Sequence, residues 1–160
     1  MSKIDRRVAE LGITLPKPWT VSIPANISAS LVRVRGKSVF VSGHVPIDAD
    51  GSPAGPFGRV GAEVTPEQGQ QAARLALLGI LASLKAKLGD LDRIAAWLRV
   101  YGMIWPAPGF VGFPSVMNGA SALIHDVFGP EIGDHARVAI CVGATPFNAP
   151  LEIEAQLELV

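Results

Sequence analysis

The chain has 160 residues, a length that suits one domain. Lysine plus arginine number 14 and aspartate plus glutamate number 14, and this zero formal charge argues against a nucleic-acid binder. Hydrophobic residues at 49% and charged residues at 18% exclude a disordered or acidic-tail protein, while a mean hydropathy of +0.35 demands a membrane or a subunit interface for the surplus apolar surface.

The uncharged stretch 100–124 is long enough to span a bilayer. Pro106, Pro108 and Pro114, with Gly102, Gly109, Gly112 and Asn118, interrupt any continuous helix there. The charged N-terminus leads into no apolar signal-peptide region. The expectation is a soluble, cytoplasmic oligomer that engages neither membrane nor nucleic acid. The single cysteine, Cys141, excludes an internal disulfide and a cysteine-built metal site.

In chain order, residues 2–12 predict a short amphipathic helix with Ile4, Val8 and Leu11 on one side. Pro16, Pro18 and Pro24 hold an extended connector. Residues 1–25 thus form an N-terminal helix and connector, and residues 26–160 the main domain. Residues 31–35 and 38–45 read as strands joined at Gly36-Lys37. A Gly/Pro/Asp-rich loop follows over 46–61, with a short strand near Arg59-Val60.

The strongest helix covers residues 66–88. Thr65 is its N-cap, Pro66 its first residue, and Gln68 completes a capping box. Leu75, Leu78, Leu81 or Ala82, and Leu88 form the expected buried stripe, and Gly89 the stop. Interior Gly79 implies close packing. A buried strand over 94–103 precedes a second helix over 114–128, with Val116, Ala120, Leu123 or Ile124, and Val127 inward and a stop at Gly129. Strands over 137–144 and 151–159 finish the chain. Two main helices for five to six strands make an α+β fold with a mixed sheet covered on one face, the other face left to solvent or another subunit.

The last two strands carry the chemistry. Val138, Ile140 and Val142 alternate with Arg137, Ala139, Cys141 and Gly143, and the β-branched set is expected against the helices. Arg137, among small side chains, is either a strand-end arginine paired with an acid or in solvent, or a fork for a ligand carboxylate. Glu152, Glu154, Gln156 and Glu158 share one face of the final strand; a solvated face is the plain reading, and a glutamate acting on water beside an arginine-bound substrate is the sharper one. The histidines His44, His125 and His135 have no metal-ligand spacing. His135 could line the same cleft as Arg137, and Cys141 reads as a packing residue. Trp19, Trp97 and Trp105 read as core or interface anchors. Ser42-Gly43-His44 lacks the strand-to-helix setting of a nucleophile elbow.

At Phe40-Val41-Ser42-Gly43-His44-Val45-Pro46, Asn118, His135-Ala136-Arg137 and Leu151-Glu152-Ile153-Glu154-Ala155 the chain resembles the RidA/YjgF family. With its longer N-terminus it is similar to the longer bacterial branch often labelled endoribonuclease L-PSP. The resemblance implies a chorismate-mutase-like fold, a homotrimer, and clefts between subunits. It further implies cofactor-independent hydrolysis of reactive enamine and imine acids, such as 2-aminoacrylate, to 2-keto acids and ammonia. Arg137 would hold the substrate carboxylate, Glu152 would position the attacking water, and Asn118, His44 and Ala139 would shape the substrate pocket. The chain departs from the short members in three places. Ile27-Ser28-Ala29-Ser30-Leu31 has no tyrosine, Ala139 stands in place of a cysteine, and His44 in place of a glutamine. A non-catalytic, small-carboxylate-binding regulatory trimer is therefore the alternative expectation, and an endoribonuclease a weaker one, since neutral charge offers RNA no platform.

Overall fold

The computed structural model describes residues 2–19 and 29–160. Pro24 of the connector, the expected boundary at residues 25 and 26, and Ile27-Ser28 at the start of the tyrosine-free segment lie outside the described residues. The elements run α1 (Lys3–Glu10), β1 (Val32–Arg35), β2 (Ser38–His44), α2 (Pro66–Leu88), β3 (Ile94–Ile104), α3 (Phe113–Ile132), β4 (Ala136–Cys141) and β5 (Leu151–Leu159).

α1 is short, and a helix of this length depends on its contacts. Ser2 caps it, accepting from the Asp5 amide, and Ile4 and Val8 enter the common core. The amides of Lys3 and Ile4 donate to the Asp92 carboxylate, both at 2.7 Å, and Lys85 Nζ reaches Asp5 at 2.7 Å. The first turn's otherwise orphaned N–H groups are thus satisfied by a residue far along the chain.

The capping box that starts α2 is formed in both directions: the Gln68 amide donates to Thr65 Oγ1 at 3.2 Å, and the Thr65 amide to Gln68 Oε1 at 2.9 Å. The buried side of α2 matches the expected stripe at Leu81, Ala82 and Leu88 and departs from it earlier in the helix. Ala73, Ala76, Leu77, Ile80, Leu81 and Leu84 are fully buried, whereas Leu75 and Leu78 are only half-buried. The helix carries apolar residues nearly all round, so periodicity could not choose a side. The alanine-bearing side lets α3 and the sheet come close. At Gly79 an added Cβ would stand 3.0 Å from Ile47 Cδ1, so the predicted close approach is present.

α3 presents Val116, Ala120, Leu123, Ile124 and Val127 inward as expected. It does not end at Gly129. That residue leaves helical geometry (φ 76°, ψ 176°) and a further turn follows through Pro130 to Ile132. The expected strand near Arg59-Val60 reduces to isolated bridges of Val60 with Val64 and Pro106.

Among the described residues the sheet has five strands, in the order β1-β2-β5-β3-β4. β3 and β4 are parallel, joined by α3 as the crossover such a pair requires, and the other neighbours are antiparallel. β5 lies centrally with Leu151, Ile153, Ala155, Leu157 and Leu159 buried toward the helices. β4 has the reverse orientation to that expected. Arg137 and Ala139 lie on the helix side, where Ala139 packs against the core, and Ile140 is exposed on the uncovered side. Both sets of β4 side chains include apolar groups, so branching could not tell which one α3 covers. Phe40 and Ile140, away from the helices, are 47% and 37% exposed. Cys141, expected to pack, is exposed as a free thiol. No helix among the described residues is long and apolar enough to cross a membrane.

Candidate functional site

Arg137 sits opposite Val100 in the β3–β4 register, and its guanidinium reaches α3. Nη1 donates to Asn118 Oδ1 at 2.9 Å and to Ser121 Oγ at 3.1 Å, and Nη2 to the Pro114 carbonyl at 3.2 Å. Residues 118 and 121 are one helical turn apart and share a face. Every partner is neutral, and no carboxylate among the described residues pairs with Arg137. Its full positive charge is kept, and Nε–H and one Nη2 hydrogen have no partner among the described residues. That is enough for a two-point grip on a carboxylate.

Ser121 extends the arrangement. The His135 Nδ1–H donates to the Gly133 carbonyl at 2.6 Å, so His135 Nε2 accepts from the Ser121 hydroxyl at 2.9 Å. The serine oxygen is thereby turned, lone pairs first, toward Arg137. Burial holds the His135 imidazole below its ordinary range, and the charges of His125 and Arg137 press in the same direction. Ser121 was not singled out in the sequence; its signal was the spacing of three from Asn118.

Glu152 lies elsewhere. It borders a cavity of about 470 Å³ whose walls include Trp19, Leu31, Gly43, Val45 and Phe147. The β2–β5 register shifts between Val41 and His44, and this bulge carries Gly43 beneath the Glu152 carboxylate. A Cβ at Gly43 would fall 1.8 Å from Glu152 Oε1, so only glycine leaves the carboxylate its place. Burial raises the Glu152 carboxyl above the usual range, with Glu154 adding to the effect. No hydrogen bond from any described residue reaches it. An unpaired, partly desolvated carboxylate at a cavity wall is a candidate base.

His44 does not line this cavity. It is fully buried, with Nδ1–H donating to the Ser42 carbonyl at 2.7 Å and Nε2 accepting from Ser83 Oγ at 2.8 Å. Burial keeps its imidazole low and neutral. It braces the bulge from behind, and the expected pocket contact is corrected to a supporting one. Ala139 lies on Arg137's side of β4, two residues on. Trp19 and Phe147, whose ring centroids are 5.7 Å apart, form an aromatic corner of the Glu152 cavity. Among the described residues no group of three or more His, Cys, Asp or Glu converges as a metal site would require.

The structure therefore joins Arg137 with Asn118 and separates both from Glu152. Arg137 points to the helix side of the sheet, Glu152 to the uncovered side, and β3 runs between their strands.

The model of the family described as "YjgF/chorismate mutase-like, putative endoribonuclease" matches residues 7–155. The chain belongs to this family. Among its relatives this YjgF-family chain is 37% identical over 157 residues to Protein TCP17 of Trypanosoma cruzi, covering 98% of this chain and 94% of that one. The crystal structure of Atu1372 from Agrobacterium tumefaciens, a protein of unknown function, superposes with a TM-score of 0.86 at 37% identity, over 98% of this chain and 92% of the other. A Shewanella oneidensis structure named a "putative endoribonuclease" gives 0.89 at 27% identity, over 99% and 100%. The fold is the YjgF/chorismate-mutase-like fold, α+β with three helices and a five-stranded mixed sheet among the described residues.

Proposed function

We propose that this YjgF-family protein hydrolyses reactive 2-enamino and 2-imino acids to 2-keto acids and ammonia, in a cleft between copies of the chain. The observation that carries the reading is the pair of incomplete half-sites. Arg137 is charged and has donors to spare, while Glu152 is unpaired beside a cavity; one chain turns them to opposite faces. A head-to-tail contact between protomers joins the Arg137 half of one to the Glu152 half of the next, and a threefold ring closes such contacts without a free end. The exposed Phe40 and Ile140 on the uncovered side support a partner there.

In that cleft the Arg137 fork takes the substrate carboxylate, which fixes the neighbouring C=N carbon. An enamine first gains a proton at its terminal carbon and loses one from nitrogen, becoming the imine. Glu152 accepts a proton from water as the water oxygen bonds to the imine carbon, and the nitrogen is protonated. Glu152 returns its proton to the carbinolamine nitrogen, C–N cleavage releases ammonia, and the hydroxyl proton passes to solvent as the C=O of the keto acid forms. The chemistry needs no electron or group donor, because the substrate is already reactive; orientation and one modest base suffice.

The test is keto-acid release from freshly generated 2-aminoacrylate. Wild type accelerates it and Arg137→Ala does not; absence of acceleration by wild type overturns the reading. A second reading, a small-carboxylate-binding regulatory trimer, draws on Ala139 standing where short relatives carry cysteine. It predicts keto-acid binding by calorimetry without turnover. The endoribonuclease reading rests on names in the family, and the zero net charge and apolar cavity speak against it.

A further inference from the structure

The cavity beside Glu152 is far larger than the one-carbon side chain of 2-aminoacrylate needs. At about 470 Å³ it is in the range of pockets for drug-sized ligands. Among the described residues its walls are mostly apolar. Trp19, Leu31, Val45, Pro146 and Phe147 supply its apolar surface, Ser30 also borders it, and Glu152 is the single charged member among the described residues. The Ser42 hydroxyl, which also borders it, is already committed to the Ser30 carbonyl at 2.8 Å.

The aromatic corner is held in place at a cost. Phe147 has φ 59° and Asn148 φ 54°, two successive non-glycine residues in the left-handed region. Such geometry persists only where its surroundings over-determine it, and it clusters at ligand sites. Here it turns the Phe147 ring against Trp19 at the cavity wall.

Resting on the deaminase reading of this same cleft, we infer that the cavity selects 2-imino acids, and their 2-keto products, with a bulky apolar side chain. The side chain lies against the Trp19–Phe147 corner, and the reacting carbon stays at Glu152. A small side chain leaves the apolar walls uncovered, and an anionic one meets the Glu152 carboxylate with no cation among the described wall residues to balance it. Each added methylene in such a pocket shifts discrimination by about tenfold or more.

The experiment titrates the full-length protein with phenylpyruvate, 4-methyl-2-oxopentanoate, pyruvate and 2-oxoglutarate by calorimetry. In parallel it follows hydrolysis of the imines that an amino-acid oxidase forms from phenylalanine, leucine and alanine. The two bulky apolar keto acids are expected to bind about tenfold or more tightly than pyruvate, with 2-oxoglutarate weakest. Phe147→Ala, at an exposed ring, and Leu31→Ala, at a separate wall, each compress that ratio. Equal or tighter binding of pyruvate overturns the inference, as does a ratio unchanged in both variants. Fastest turnover of the alanine-derived imine overturns it while leaving the deaminase reading intact. The expected binding order without any accelerated hydrolysis supports the selectivity and defeats the deaminase reading.

Discussion

Arg137 and Glu152 stand on opposite faces of one sheet, two strands apart, with β3 between them. Each has what the other lacks: a charge with unused donors, and an unpaired carboxylate at a cavity. This separation makes the proposed chemistry a property of an assembly, and it can be tested as one.

Mixing Arg137→Ala protein with Glu152→Gln protein, after subunit exchange, is expected to restore activity that neither has alone. Random mixing regenerates intact pairs at about a quarter of the clefts of a closed ring. Keto-acid release by the mixture measures this. No recovery, with exchange verified by native mass spectrometry, places both residues in one protomer's site or neither.

Glu152→Gln is expected to lower turnover by about 10²–10⁴-fold, the usual worth of a positioned acid or base. Stability moves the other way. Folding raises this carboxyl's pKa, so the folded chain holds its proton more tightly than the unfolded one. Stability is lost as pH rises through the unfolded value of about 4.3 toward the higher folded value. The variant therefore melts above wild type at neutral pH, and the two converge in acid; thermal melts across pH read the difference.

The buried His44 has the opposite linkage. Its folded pKa is depressed by burial, so its contribution is fully present above the unfolded value of about 6.5 and is lost as pH falls toward the folded value. His135 adds in the same direction. His44→Gln, which keeps a donor and an acceptor for Ser42 and Ser83, is expected to reduce the fall in melting temperature between neutral and mildly acidic pH. An unchanged slope assigns the acid sensitivity to His135 or elsewhere.

Asp92→Ala is expected to cost about 1–3 kcal/mol, because it strands the Lys3 and Ile4 amides at the start of α1. Denaturant midpoints give the loss, and hydrogen exchange localises it to α1. Uniform exchange with no preference for residues 3–10 contradicts this role for Asp92.

Much of the architecture was readable from local pattern because its causes are local. The Thr65–Gln68 capping box, Gly89, the alternation of residues 151–159 and the inward face of α3 each depend on neighbours a few positions away. The family motifs around Arg137 and Glu152 were legible for the same reason: short strings of residues specify short pieces of backbone. Asn118, which accepts a hydrogen bond from Arg137, is a further mark of the same family.

What the pattern could not decide is which side of an element meets what. Ala73 and Ala76 take the fully buried positions while Leu75 and Leu78 stay half-buried, because contact with α3 and the sheet favours small side chains on an all-round apolar helix. Val138 and Ile140 lost the helix side of β4 to Arg137 and Ala139, because both faces of that strand carry apolar groups. His44 proved a buried brace, since its partner Ser83 is brought to it only by the approach of α2 to β2. Composition and short-range spacing determined the elements and the family. The opposition of Arg137 and Glu152 across the sheet was decided only by long-range packing, which alone fixes the direction a side chain faces.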